Sequence, residues 1–189
     1  MSSTLANADG SNSTRRTFLA TLAVAGLGLV KVPRLLRAME APRALSFHHL
    51  HTGERLAVEY FSAGDYVPHA LHEVNQVLRD WRTNEVHPID PTLLDLLNEL
   101  QRVTGTQHAF DVICGYRCPA TNAMLANHSE AVSPRSLHLK GKAIDIRLAD
   151  VPLAKLRDAA IGLRRGGVGY YPDPANNFVH VDTGRVRRW

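Results

Sequence analysis

Two histidines and an aspartate have the types and spacing that could bind a metal ion. His138 and Asp145 are seven positions apart with Gly141 between them, and His180 lies in the segment 178–182. Catalytic zinc is bound by three protein ligands of these types at about 2.0–2.2 Å, with water in the fourth position. A histidine or aspartate can equally be an ordinary hydrogen-bonded residue, so residue types alone leave a zinc site and a structural role both open.

A shared metal requires a turn between His138 and Asp145. In one continuous helix their Cα atoms would be separated by about 10.5 Å along the axis, which fits one ion poorly. Gly141 lies between two lysines and favours a turn. The run 143–146 alternates in character and predicts a short strand. We therefore expect His138 on a loop and Asp145 on a strand.

The segment around His180 also predicts a strand. Residues two apart on a strand face the same side, so Phe178, His180 and Asp182 share one face. A carboxylate beside a ligand histidine can orient that histidine or act as the general base of hydrolysis. The sequence leaves both roles open for Asp182.

The remaining elements follow from hydrophobic periodicity and from helix-capping residues. Helices are predicted over 68–81, 91–104, 119–127 and 152–163. Strands are predicted over 44–50, 55–61, 110–114, 168–171 and 178–182. Asp90 and Asp150 are the predicted N-caps of the second and fourth helices, and the first two strands form a hairpin around Thr52 and Gly53.

The first 41 residues have the pattern of an export signal. Arg15 and Arg16 precede an apolar run, 20–30, that is too short for a comfortable membrane span. Paired arginines resemble a twin-arginine signal. We expect a leader over 1–41, exported by the twin-arginine machinery and cleaved, and a periplasmic domain over 42–189 without a permanent membrane span. An uncleaved N-terminal anchor is the alternative.

Charge and composition exclude some classes of function. The chain is 44% hydrophobic and 21% charged, which is ordinary for a globular protein. Its net charge of +4 comes largely from the leader. The remaining domain is close to neutral, so nucleic-acid binding is not expected.

The motifs around the candidate ligands resemble those of the M15 metallopeptidases, which have the hedgehog/D-Ala-D-Ala peptidase fold. The matching positions are Gly115, Tyr116, Arg117, Ser136, His138, Gly141, Ala143, Asp145 and His180. The resemblance extends from about Leu45 to Trp189 and is closest to the branch once labelled DUF882, similar to the YcbK-type murein endopeptidases.

This resemblance implies an α+β fold with a small antiparallel sheet flanked by helices. It implies that the protein binds one Zn²⁺ through His138, Asp145 and His180 and hydrolyses peptide bonds in peptidoglycan cross-links or stem peptides. We expect the protein to be a monomer. Arg117 would bind a substrate carbonyl or carboxylate and stabilise the oxyanion, for which a fixed guanidinium is suited. Ser136 would contact substrate or orient a ligand, and Tyr170 is a further candidate for substrate contact.

One position departs from the family pattern. Better-known M15 members often carry Glu or Asp three residues before the third ligand, but this chain has Asn177, which cannot act as a base. Asp182 is then the nearest candidate for the general base. The departure also leaves open a non-catalytic zinc- or murein-binding module on the same fold.

Two cysteines, Cys114 and Cys118, bracket Arg117. An exported protein can hold a disulfide, but spacing alone does not show that the two side chains could meet. A separate zinc site is disfavoured because a second pair of ligands is missing. A disulfide, two free thiols and a redox-active pair therefore remain alternatives.

Overall fold

The computed structural model describes residues 40–128 and 132–189. The predicted leader, 1–41, lies outside the described residues except for its last two positions. Within the described ranges, no helix has the length and apolar character needed to cross a membrane.

A mixed sheet of eight strands is the centre of the fold. The strands are β1 (Arg43–His49), β2 (Arg55–Ser62), β3 (Asp65–Tyr66), β4 (Phe110–Cys114), β5 (Ala143–Arg147), β6 (Gly167–Tyr171), β7 (Phe178–Asp182) and β8 (Arg187–Arg188). Their order in the sheet is β3-β2-β1-β4-β5-β7-β6-β8. The hairpin of β1 and β2 is confirmed.

The α+β class is confirmed, although the sheet is larger than the small antiparallel sheet that we expected. Most pairs are antiparallel, but β1 with β4 and β6 with β8 are parallel. A parallel pair needs a long crossover. The chain between β1 and β4 contains two helices and provides one.

Four α-helices are present in the described part of the chain. They are α1 (Pro68–Val77), α2 (Pro91–Thr104), α3 (Pro119–Ala126) and α4 (Leu153–Leu163). The start of α2 is as predicted, because the Asp90 carboxylate accepts a hydrogen bond from the Thr92 amide at 3.0 Å. Helix α2 buries Leu93, Leu94, Leu96, Leu97 and Leu100.

The predicted N-cap of α4 is wrong. Pro152 occupies the cap position, and no side chain caps the helix there. The Asp150 carboxylate instead accepts hydrogen bonds from Thr106 Oγ1 at 2.8 and 2.9 Å. Asp150 therefore connects this loop to the one after α2.

Helix α1 ends at Val77, four residues earlier than predicted. The chain that follows supports the site: the Leu78 carbonyl accepts a hydrogen bond from the Tyr116 amide at 2.8 Å. The Asp80 carboxylate accepts one from the Cys118 amide at 2.9 Å. These contacts hold the segment after β4 in place.

The two faces of the central strands have different roles. Ile144 and Ile146 of β5 and Val179 and Val181 of β7 are fully buried in the hydrophobic core. Side chains alternate between faces along a strand, so the residues between these positions point away from that core. Asp145 and His180 occupy such positions.

Candidate metal centre

Strand register brings three side chains into one row. Asp145 on β5 lies opposite His180 on β7 and opposite Cys114 on β4. Directly opposed residues share a face, with Cβ atoms about 4.5–5.5 Å apart. Cys114, Asp145 and His180 therefore form a row on the face of the sheet away from the Ile144 core.

His138 reaches this row from a short 3₁₀ helix, Leu137–Lys140, instead of the loop that we expected. The helix ends at Gly141, which has a φ of 61°, in the left-handed region. A Cβ at this position would also collide with the Pro88 carbonyl. The predicted turn is confirmed, and it allows His138 and Asp145 to meet.

The three predicted metal ligands meet through one atom each. His138 Nε2 is 3.1 Å from His180 Nδ1 and 3.3 Å from Asp145 Oδ1, and His180 Nδ1 is 2.8 Å from Asp145 Oδ1. Donor atoms on a tetrahedral zinc would be about 3.4 Å apart, given bonds of about 2.1 Å. The observed donor set therefore fits one zinc-sized cation.

The second nitrogen of each histidine has an acceptor that fixes its orientation. His138 Nδ1 donates to the Gly115 carbonyl at 2.7 Å, and His180 Nε2 donates to Asp182 Oδ2 at 3.2 Å. Nε2 of His138 and Nδ1 of His180 are then the nitrogens available to a metal. Such hydrogen bonds are usual behind metal-binding histidines.

Asp182 is enclosed by hydrogen-bond donors. Its Oδ1 accepts from the amides of Gly167 at 3.0 Å and Gly184 at 2.8 Å, and its Oδ2 accepts from Arg187 Nη2 at 2.7 Å. The residue is fully buried. The carboxylate thus lies behind His180, away from the open cleft.

Electrostatics favour a cation in this site. Burial acts to raise the pKa of Asp145, but His138 and His180 outweigh it and hold that pKa well below its usual range. Burial opposes charge on His138, yet Asp145 raises the pKa of His138 to about 10. Burial acts to raise the pKa of Asp182, but His180 and two backbone amides lower it. A bound metal would displace the His138 proton.

Arg117 lies beside the ligands, as the resemblance implied. Its Nη2 is 3.8 Å from Asp145 Oδ2, and its Nη1 donates to Asn122 Oδ1 at 3.3 Å. Its Nε is buried and has no hydrogen-bond partner within the described ranges. Arg117 also lines the cleft described below, so its guanidinium lies beside both the ligands and the space open to a substrate.

The metal centre lies in a cleft of about 620 Å³. Ser136 lines it, as predicted, and the arginines that line it are Arg82, Arg117, Arg135 and Arg187. Asp145 is the sole carboxylate among the described lining residues. The cleft is therefore suited to anionic substrates.

Tyr170, the further residue predicted to contact substrate, is not among the described residues that line this cleft. Its partner across the sheet is Val179, on the core-facing side. Its ring packs against the Arg157 guanidinium at 4.5 Å. The neighbouring Tyr171 alternates to the other face and lines the cleft.

Sequence reasoning missed Trp189. Its ring lies 5.3 Å from the His180 ring, and its Nε1 donates to Tyr171 Oη at 2.7 Å. The indole occupies space above Gly169, where a Cβ would collide with it. Glycine inside a strand often marks such a close approach, so Gly169 was the available signal.

Cys114 and Cys118 are free thiols with different surroundings, so the structure contains no disulfide between them. Cys118 is the N-cap of α3, where its sulfur accepts a hydrogen bond from the Thr121 amide at 3.4 Å. Cys114 Sγ lies within 4.8 Å of a ligand atom of both His138 and Asp145.

Several known proteins are similar to this chain in sequence. The profile of the family described as peptidoglycan L,D-endopeptidase MepK, an M15 peptidase family, matches residues 37–189. The probable peptidoglycan L,D-endopeptidase MepK of Haemophilus influenzae is 46% identical over 167 residues, covering 86% of this chain and 89% of that protein. The peptidoglycan L,D-endopeptidase MepK of Escherichia coli K12 is 39% identical over 183 residues, covering 96% and 100%.

A solved structure shows a more distant likeness. The Serratia marcescens L-Ala D-Glu endopeptidase ChiX is 19% identical, with a TM-score of 0.39 and coverage of 60% of this chain and 86% of that chain. The family profile and the two relatives are enough to assign the family without this structure. As the motif resemblance predicted, the chain belongs to the M15 metallopeptidase family, in its branch of peptidoglycan endopeptidases.

Proposed function

We propose that this protein is a zinc-dependent endopeptidase that cleaves L,D-cross-links of peptidoglycan. The observation that carries the proposal is the set of three donor atoms within 3.3 Å of one another beside an arginine-lined cleft. The names of its two relatives support the choice of bond.

The metal ligands are His138 Nε2, Asp145 Oδ1 and His180 Nδ1. Two imidazole nitrogens and one carboxylate oxygen are a usual donor set for catalytic zinc. Bound there, zinc would supply an acidified water and a Lewis acid for the scissile carbonyl. The Gly115 carbonyl and Asp182 hold the two imidazoles in the orientation that this donor set needs.

Asp182 then acts by orienting His180. Its oxygens already accept hydrogen bonds from two backbone amides and Arg187, and the residue is fully buried. A general base must reach the attacking water. The enclosure of Asp182 supports the orienting role over the role of base.

Arg117 binds a substrate oxygen through its guanidinium. Its place in the cleft wall, beside Asp145, supports this role. Charge that develops on the carbonyl oxygen would be stabilised by a donor that is already fixed in place. Ser136, at the start of the 3₁₀ helix, contributes to the same wall.

Other arginines suit the ends of the substrate. Arg82 and Arg135 are exposed, line the cleft and have no carboxylate partner in the described ion pairs. Stem peptides of peptidoglycan carry free carboxylates, which arginine binds well. We assign Arg82 and Arg135 to those groups.

The protein acts in the periplasm after export. Arg15 and Arg16 followed by the apolar run 20–30 support export by the twin-arginine machinery, cleavage of the leader and action in the periplasm. Replacing both arginines by lysine should leave the protein uncleaved in the cytoplasm, as cell fractionation would reveal. Unchanged export of that variant would contradict this route.

Mass spectrometry of defined cross-linked muropeptides tests the function. The zinc-loaded protein should convert dimers with an L,D-cross-link into monomers and leave D,D-linked dimers intact. Binding of either dimer without release of product would instead favour a non-catalytic murein-binding module. Cleavage of the D,D-linked dimer alone would overturn the choice of bond.

A further inference from the structure

A fourth potential metal donor, the Cys114 thiol, lies beside two of the three proposed ligands. Its sulfur is within 4.8 Å of a ligand atom of His138 and of Asp145. The residue is almost fully buried, with 7% of its surface exposed, and it lines the cleft. None of the proposed catalytic steps uses this thiol.

An irregularity in β4 places the sulfur there. Val112 pairs with Ile146, but Cys114 pairs with Asp145, so β4 has one extra residue, Ile113, at this point. In regular pairing Ile113 would be the partner of Asp145, and the Cys114 side chain would lie on the other face of the sheet, away from Asp145. Bulges of this kind redirect side chains beside active sites.

The Arg117 guanidinium also contacts the Cys114 sulfur. Arg117 Nη2 donates to Cys114 Sγ at 3.6 Å. Cysteine binds a metal through its deprotonated sulfur. Thiolate sulfur is also a common zinc ligand, with a bond of about 2.3 Å.

We propose that Cys114 is an additional donor that competes with water for the fourth coordination position of the metal. Binding of the sulfur would release the thiol proton to solvent, and its replacement by water would reverse that step. With sulfur bound, the site has the four protein ligands typical of closed, tightly held zinc. This inference rests on the metal site proposed above.

Cobalt(II) is a suitable probe, because it replaces zinc and its spectrum reports its ligands. The metal-free wild-type protein would be titrated with cobalt alone and followed by absorption spectroscopy. We expect visible bands of a four-coordinate ion together with an intense near-ultraviolet charge-transfer band from a sulfur–cobalt bond.

Two serine variants show which cysteine provides the sulfur bound to cobalt. Cys114→Ser should lose the charge-transfer band, keep visible cobalt bands and bind cobalt at least about tenfold more weakly, which is the effect of losing supporting metal contacts. Cys118→Ser is the matched control, since it removes the other buried thiol at a helix N-cap, where serine is favourable. It should retain the band.

The outcomes separate this inference from the proposed function. Visible cobalt bands without a charge-transfer band in the wild type would overturn the role of Cys114 and leave the three-ligand site intact. A charge-transfer band that persists in Cys114→Ser would also overturn it. Failure of the wild type to bind cobalt at all would overturn both the fourth donor and the metal site.

Competition between cadmium and zinc tests the same sulfur ligand through metal affinity. Cadmium prefers sulfur ligands more strongly than zinc does. The ratio of cadmium affinity to zinc affinity should fall at least about tenfold in Cys114→Ser, because the variant lacks the sulfur ligand that cadmium prefers. An unchanged ratio would contradict coordination by sulfur.

Discussion

At the scale of single residues, the site depends on which atom each side chain presents. Nδ1 of His138 donates a hydrogen bond to the Gly115 carbonyl, and Nε2 of His180 donates one to Asp182. The other ring nitrogens, His138 Nε2 and His180 Nδ1, therefore face Asp145. The two histidines therefore use different ring atoms. Loss of a ligand and loss of a residue that orients a ligand should therefore have different effects.

Asp145→Asn should abolish metal-dependent hydrolysis. The amide keeps the size of the side chain but loses the charge that holds the cation, and the metal supplies several kcal/mol of transition-state stabilisation. We expect activity to fall by at least about a thousandfold, with zinc content measured by elemental analysis falling with it. His72→Asn, an exposed change on α1, serves as the control.

Asp182→Asn distinguishes an orienting residue from a general base. If Asp182 orients His180, zinc affinity should fall about 10- to 100-fold, while the acidic limb of the pH–rate profile persists at saturating zinc. Loss of that limb with unchanged zinc affinity would instead identify Asp182 as the base. Zinc titration and a pH–rate profile of the same variant provide both readings.

At the scale of elements, the turn after His138 determines whether two ligands from one segment can meet. Gly141 combines a left-handed backbone with close contact to Pro88. The 3₁₀ helix and β5 are joined through this residue and the next. A side chain at position 141 would strain the connection.

Gly141→Ala should lower the free energy of unfolding by about 1–3 kcal/mol, since it adds both backbone strain and a steric clash. Gly162→Ala is the matched control, because Gly162 lies in α4 with nothing within 4 Å of an added Cβ. That change should stabilise the protein by about 0.5–1 kcal/mol. Urea unfolding measures both; equal effects would contradict the account of this turn.

The sequence predicted those elements whose signals are local. The Asp90 cap of α2 and the alternation in β7 needed no distant partner, and both were confirmed. Asp150 was assigned wrongly because Thr106, 44 positions away, supplies its hydrogen bond. The bulge at Ile113 was invisible for the same reason, since register depends on the partner strand.

The candidate site was predictable to a similar degree. The motif resemblance singled out His138, Asp145 and His180, and the structure brings their side chains together. Local alternation did not decide between Tyr170 and Tyr171, because either could face the cleft until β7 fixed the register. Trp189 was missed because its contact is with a distant glycine.

At the scale of the whole molecule, the buried His49 connects stability to pH. His49 has no exposed surface, and its Nε2 has no hydrogen-bond partner in the described part of the chain. Burial, with a smaller effect of His51, lowers the pKa of His49 to about 4 from 6.5. Between these values the unfolded chain binds a proton that the folded protein does not.

The contribution of His49 to stability should therefore be lost on acidification. A depressed histidine pKa means that stability is full above about pH 6.5 and falls as the pH is lowered towards about 4. Between about pH 7 and pH 5 the loss from His49 should be about 1–2 kcal/mol. In metal-free protein, thermal melting of His49→Gln should show a correspondingly smaller decrease, whereas exposed His72→Gln should match the wild type; equal decreases in all three would contradict this role.

The central claim is that one metal ion, held by residues from two strands and a 3₁₀ helix, is the catalytic centre. Stepwise addition of zinc to metal-free protein, with release of peptides from L,D-cross-linked peptidoglycan measured at each step, tests it most directly. Activity should be absent without metal, rise in proportion to added zinc and level off at one zinc per chain. Full activity of the metal-free protein, or no activity at any zinc level, would contradict the account.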